Sequence, residues 1–149
     1  MVIKQIVQPN GKLFSWNKKA ITDRDYHMIM DLVNNDIGKT HVLPCNLHRL
    51  YLFAVNSKKY ESRKIPNDLV TLNSEVLLAN DDHQKQLVKI VLPENINGKH
   101  DISVYSPLGI ACMGARENDF VDVPYQKSPQ RLFIEKIMFQ PKKEKFYYL

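Results

Sequence analysis

The stretch "SPLGIACMGARENDF", residues 106–120, opens with a helix-start signal and closes after barely two turns. Ser106 can cap a helix by accepting a backbone N–H, and Pro107 suits the first helical position, where its missing donor would go unpaired anyway. Ile110, Ala111, Cys112 and Met113 give the segment an apolar side, Gly109 and Ala111 keep it thin, and Gly114 stops it. A helix this short and slender is suited to lie against something flat. The residues on both sides of it supply a sheet.

From Ile65-Pro66 onward the apolar period is two. "DLVTLNSEVLLAN" (68–80) is strand-like, and "KQLVKIVLP" (85–93) puts Val88, Ile90 and Leu92 on one face, with Asp81-Asp82-His83 as turn chemistry between them. "DISVYS" leads into the Ser106 helix, "DFVDV" follows it, and "RLFIEKIMFQP" (131–141) is a long last strand. Leu132, Ile134 and Met138 alternate there with Phe133, Ile137 and Phe139, so both faces are apolar and the strand belongs inside the sheet. The expected class is α+β: an antiparallel sheet wrapped on one short helix that plugs its curve.

The N-terminal part has the helical period instead. Thr22 can cap a helix whose first turn carries Asp23 and Asp25, and Tyr26, Ile29, Met30 and Val33 follow at i, i+3, i+4 and i+7. After a turn at 34–38, Leu43, Leu47, Leu50, Tyr51 and Ala54 form a second stripe, with Pro44 in its first turn. The pair predicts a short antiparallel helical hairpin, its arms about 20 and 25 Å long. Asn10-Gly11 is a hairpin-type turn signal, so residues 1–19 are expected to be an N-terminal extension or small hairpin. The expected division is thus 1–19, a helical-hairpin arm at 20–64, and a sheet domain at 65–149 ending in a short basic tail.

Composition sets the remaining bounds. With 149 residues, 44% hydrophobic and 25% charged, the chain suits one globular domain with an appendage. No uninterrupted apolar run approaches the roughly 18 residues of a membrane span, and no signal-peptide pattern opens the chain, so a cytoplasmic setting without membrane association is expected. Cys45 and Cys112 fall in different elements and suggest neither a disulfide nor a zinc knuckle. Residues 1–64 hold 11 Lys and Arg against 5 Asp and Glu, and residues 65–149 hold 10 against 11, so the net charge of +5 belongs to the N-terminal half. Without an arginine cluster or a glycine-aromatic RNA motif, direct nucleic-acid binding is not expected.

In order along the chain, "IPNDLVTLNSEVLLAN", "ISVYSPLGIACMGARENDFVDVP" and "FIEKIMFQP" resemble the C-terminal FKBP-like domain shared by the Gre transcription elongation factors and the Rnk family. The resemblance covers roughly residues 65–141 and is closest to the Rnk branch, whose arm is short. It implies a factor that docks on RNA polymerase beside the secondary channel and points its helical arm into it. It also implies that the loop entering the Ser106 helix faces the polymerase, through Tyr105, Ser106, Pro107 and Leu108. Relatives often have an acidic residue where this chain has Tyr105, and residues 1–19 and "YQKSPQ" depart from the pattern too.

Gre factors use acidic residues at the arm tip to help hold a metal ion in the polymerase active site, which needs carboxylates close enough to share a hard cation. Here the tip, "NNDIGKTHV", offers Asp36 alone, in what reads as an exposed turn. No cleavage activity, no cofactor and no small-molecule substrate are therefore expected. The alternative is an FKBP-like prolyl isomerase or chaperone-type domain, which would need an aromatic pocket built from Tyr105, Phe120, Tyr125 and Phe133, since Trp16 lies outside the domain. His41, Cys45 and His48 recur at i, i+4 and i+7, with His27 as a conceivable fourth ligand, but Pro44 argues that His41 sits in the turn, and no metal site is expected. No G-x-x-x-x-G-K-[ST] phosphate loop and no nucleophile-base pairing are present.

Overall fold

Thr22 caps the first long helix, its Oγ1 accepting the Asp25 backbone N–H at 3.0 Å. The computed structural model of the protein describes residues 6–7, 13–14, 19–124 and 128–141. Near its start β1 (Ile6–Val7) pairs antiparallel with β2 (Leu13–Phe14); Asn10-Gly11 and Trp16 lie outside the described residues. Helix α1 spans Asp23–Asp36 and α2 spans Pro44–Asn56, with Pro44 in its first turn. Gly38, at φ +80°, makes the turn that joins them, a backbone conformation glycine adopts without cost.

The base of this hairpin is closed by a feature its periodicity does not announce. Strand β3 (Ala20–Thr22) pairs in parallel with β4 (Lys58–Tyr60), Ile21 lying opposite Lys59. Strands of three residues are too short to show a period of their own.

The main sheet contains β5 (Glu75–Ala79), β6 (Lys85–Val91), β7 (Asp101–Ser103), β8 (Phe120–Val123) and β9 (Gln130–Phe139), in the order β7-β6-β5-β9-β8. All neighbours are antiparallel except β6 and β7. Helix α3 (Pro107–Cys112) packs on the inner side, burying Leu108, Ile110 and Cys112. Only the second half of 68–80 is strand. Residues 70–74 instead make a turn in which Asn73 has φ 67°, and Val70 donates its N–H to the Ala115 carbonyl and accepts the Gly114 N–H, joining this turn to the end of the α3 segment.

As expected, β9 lies between two other strands, but its alternation breaks. Leu78 opposes Ile134 and Leu77 opposes Lys136, then Val76 opposes Ile137 and Glu75 opposes Phe139, so β9 carries an extra residue twice. Each bulge shifts the inward face by one residue. Leu132, Ile134 and Ile137 are therefore buried together, while Met138 is 53% exposed.

One apolar cluster runs through the whole body: Ile29 and Val33 of α1 and Leu50 and Phe53 of α2 join Val76, Ile90, Tyr105, Leu108 and Ile134 of the sheet domain. The hairpin is thus docked on the sheet domain and is no freestanding finger. Phe53 is fully buried. Where α2 meets the α3 segment, Gly114 has φ +76°, and a Cβ there would stand 2.7 Å from Phe53 Cε2 and 2.8 Å from the Ala20 carbonyl oxygen.

Candidate functional site

The Ser106 start works as its sequence predicts. Ser106 Oγ accepts the Gly109 N–H at 3.0 Å and donates to the Ser103 carbonyl oxygen at 2.7 Å, tying the helix start to β7. A Cβ at Gly109 would run into that same Ser103 carbonyl, so the helix is thin for a local steric reason. Ser106 and Pro107 are half-buried, and Leu108 is buried in the core.

Tyr105 departs from the expectation of an exposed contact residue: it is 7% exposed. Its ring belongs to the main apolar cluster, and its hydroxyl donates to Asp36 Oδ2 at 3.0 Å, across 69 residues of sequence. Burial, and next the hydrogen bond to the Asp36 carboxylate and its negative charge, hold the Tyr105 phenol well above the ordinary tyrosine range.

Asp36 is likewise no residue of an exposed turn. It is the last residue of α1, 5% exposed, and its Oδ1 receives Asn35 Nδ2 at 3.3 Å and stands 3.6 Å from His41 Nε2. Two site residues that sequence reasoning assigned to separate surfaces thus form one buried contact. No local signal in the sequence announces this contact, because the two residues are 69 apart.

A second polar link fastens the other end of α1, where Asp25 Oδ2 accepts the Leu72 N–H at 3.0 Å. A third joins the chain before β3 to α3. Lys19 Nζ donates to the carbonyl oxygens of Ala111 at 2.9 Å and Ile110 at 3.4 Å, at the negative end of that helix, and lies 5.5 Å from the Phe53 ring centre. Lys19 as a residue keeps some exposure, but its ammonium end is enclosed, and this desolvation lowers its pKa to about 8. Burial pushes the neighbouring Cys112 thiol up to about 12, so this cysteine is inert packing.

The possible metal ligands do not converge. His41 lies in the turn before α2 with Nε2 toward Asp36, whereas Cys45 and His48 are exposed on the first turns of α2 and His27 is exposed on α1. Among the described residues no group of three His, Cys, Asp or Glu side chains is placed to hold a metal ion. The aromatic residues do not line one cavity either. Tyr105 faces Asp36, whereas Phe120 is 60% exposed and packs on Phe133 with ring centres 5.1 Å apart; Tyr125 lies outside the described residues. An open depression of about 390 Å³ is lined mostly by polar residues, among them Lys89, Asn97, Lys99, His100 and Asp101. No helix among the described residues is long and apolar enough to cross a membrane.

Comparison with known proteins agrees with this architecture. Residues 65–139 match the profile of the family described as transcription elongation factor, GreA/GreB, C-term. A solved GreA/GreB transcription elongation factor from Nitrosomonas europaea superposes with a TM-score of 0.66 at 20% identity, covering 81% of this chain and 98% of that one. The GreA factor homolog Gfh1 of Thermus thermophilus aligns over 81% of this chain and 99% of its own, with a TM-score of 0.43 and 15% identity. No curated protein matches the chain in sequence.

Proposed function

The chain belongs to the GreA/GreB C-terminal family of transcription elongation factors, and from that premise we propose that it is a cytoplasmic regulator of the Rnk branch. In this reading it binds RNA polymerase near the secondary channel, competes there with Gre-type factors and catalyses nothing itself. The observation that carries the non-catalytic part is the state of Asp36. It is 5% exposed and hydrogen-bonded by Tyr105, and the turn that follows it, residues 37–43, contains no further carboxylate. Sharing a divalent cation with a polymerase active site requires accessible carboxylate oxygens, preferably two.

The docked hairpin favours occupation of the site by the whole body over a finger reaching far into a channel. In the loop entering α3, the accessible part of the expected polymerase-facing surface is Ser106 and Pro107, with Tyr105 and Leu108 supporting them from beneath.

The test uses purified polymerase stalled in a backtracked complex. The protein is expected to bind, to release no cleaved transcript by itself, and to slow cleavage by an added Gre-type factor. Robust cleavage that vanished in Asp36→Ala would sink the proposal, as would failure to bind polymerase.

A further inference from the structure

Because β6 and β7 run parallel, the chain between them has to return along the sheet, and it does so within residues 92–100. Part of that return and the strands beside it enclose the open depression of about 390 Å³. Glu75, Lys89 and Asp101 line its strand side, and Asn95, Lys99 and His100 its loop side. Val76, Val88 and Ile90 point into the core, so by alternation Glu75 and Lys89 stand on the outer face of the sheet. Lys89 lies in register between Glu75 of β5 and Asp101 of β7, yet it forms an ion pair with neither. Among the described residues, the side chains of Glu75, Lys89, Asn95, Lys99 and His100 make no hydrogen bond or ion pair. Asp101 differs, because its Oδ2 accepts the N–H of Gly98 at 2.8 Å and of Asn97 at 2.9 Å. Those two bonds, and after them the charges of Lys89 and His100, hold its carboxyl below the usual carboxylate range.

We infer that this depression binds a small phosphorylated molecule, its phosphate group held by Lys89, Lys99 and His100. With Asp101 committed to the N–H groups of the loop, Glu75 alone opposes two ammonium groups and an imidazole, so donors dominate the free hydrogen-bonding capacity. Donors on three separate side chains match the terminal oxygens of a phosphate monoester, whereas a carboxylate offers one oxygen fewer. Lys89 is half-buried, so its charge is less screened by water than that of a lysine on an open surface. At about 390 Å³ the depression stands at the small end of the range for small-molecule sites, enough for a phosphate and a group of sugar size. A nucleic-acid strand would need a cationic track leading out of the depression, and Glu75 and Asp101 interrupt one. The site is on the outer face of the sheet, whereas α3 packs on the inner side, and it does not depend on the polymerase reading.

The experiment titrates the full-length, 15N-labelled protein with inorganic phosphate and with ribose 5-phosphate, and with acetate at the same ionic strength as a control. Both phosphates are expected to cause saturable shifts of the backbone amides of residues 87–89 and 95–101, and acetate none. Lys99→Met should weaken binding at least about threefold, and Lys89→Met combined with Lys99→Met at least about tenfold. Glu75→Gln removes a like charge facing the ligand and should tighten inorganic phosphate at least about twofold. Lys99 is exposed on a loop, so its single variant decides the matter even if the double variant fails to fold. Failure of ribose 5-phosphate to saturate, shifts not concentrated in these segments, equal shifts with acetate, undiminished affinity in Lys99→Met, weaker phosphate binding in Glu75→Gln, or tighter binding of a single-stranded oligonucleotide at the same amides would each overturn the inference. None of these outcomes bears on whether the protein binds polymerase.

Discussion

The contact between Tyr105 and Asp36 joins the far end of α1 to the loop that starts α3. Removing the hydroxyl leaves a buried carboxylate short of a donor, while the ring still fills its place. Tyr105→Phe should therefore destabilise the protein by about 1–3 kcal/mol, and a double-mutant cycle with Asp36→Ala should return a coupling of about 1 kcal/mol or more. Urea denaturation of the four proteins measures it, and additive effects would mean that the hydrogen bond does not hold the hairpin down. Sequence reasoning identified both residues but misjudged their setting, reading Tyr105 as exposed and Asp36 as part of an open turn. Nothing local distinguishes a tyrosine that caps a distant carboxylate from one that faces solvent. The pairing exists only once residues 69 apart are brought together.

Among the elements, those whose stability is local were legible in full. Thr22 and Ser106 cap the helices they precede, and Pro44 and Pro107 stand in first turns, because a cap depends on residues within three positions of itself. Elements whose form depends on neighbours were not. The β3–β4 clasp was missed, and the inward face of β9 was misread after Glu135, because bulges answer to the register of β5. The contact between α2 and the α3 segment gives the prediction at this scale. Gly114→Ala places a methyl group against the Phe53 ring and the Ala20 carbonyl at a positive φ, so it should cost at least about 2 kcal/mol. Trimming the opposing ring in a Gly114→Ala/Phe53→Leu double variant should recover part of the loss in thermal denaturation, and no recovery would place the strain in the backbone alone.

At the scale of the whole molecule, Lys19, Cys112 and Tyr105 couple folding to pH in opposite senses. The folded-state pKa of Lys19 is lowered to about 8 from 10.5, so the stability this group adds is present above 10.5 and is lost as pH falls toward 8. Cys112, raised to about 12 from 9.0, and Tyr105, raised from 10.0, contribute stability below their unfolded values that is lost as pH rises past them. The melting temperature should therefore rise between about pH 8 and 9 and fall again above about pH 10, the underlying unfolding free energy changing by no more than roughly 1.4 kcal/mol per pH unit for each proton. Lys19→Met should abolish the rise, and a profile unchanged by that substitution would contradict the assignment. The α+β class, the two hairpin helices, the Thr22 and Ser106 caps, the sheet plugged by a thin helix and the lone carboxylate at the hairpin end were all determined by the order of residues, since period and capping are short-range properties. That the hairpin lies down on the sheet domain, held by Asp25 on Leu72, Asp36 on Tyr105 and Lys19 on the end of α3, was decided only by the tertiary structure. Each of those bonds gains its strength from being buried, and burial is a property of the assembled core that neither partner carries in its own stretch of chain.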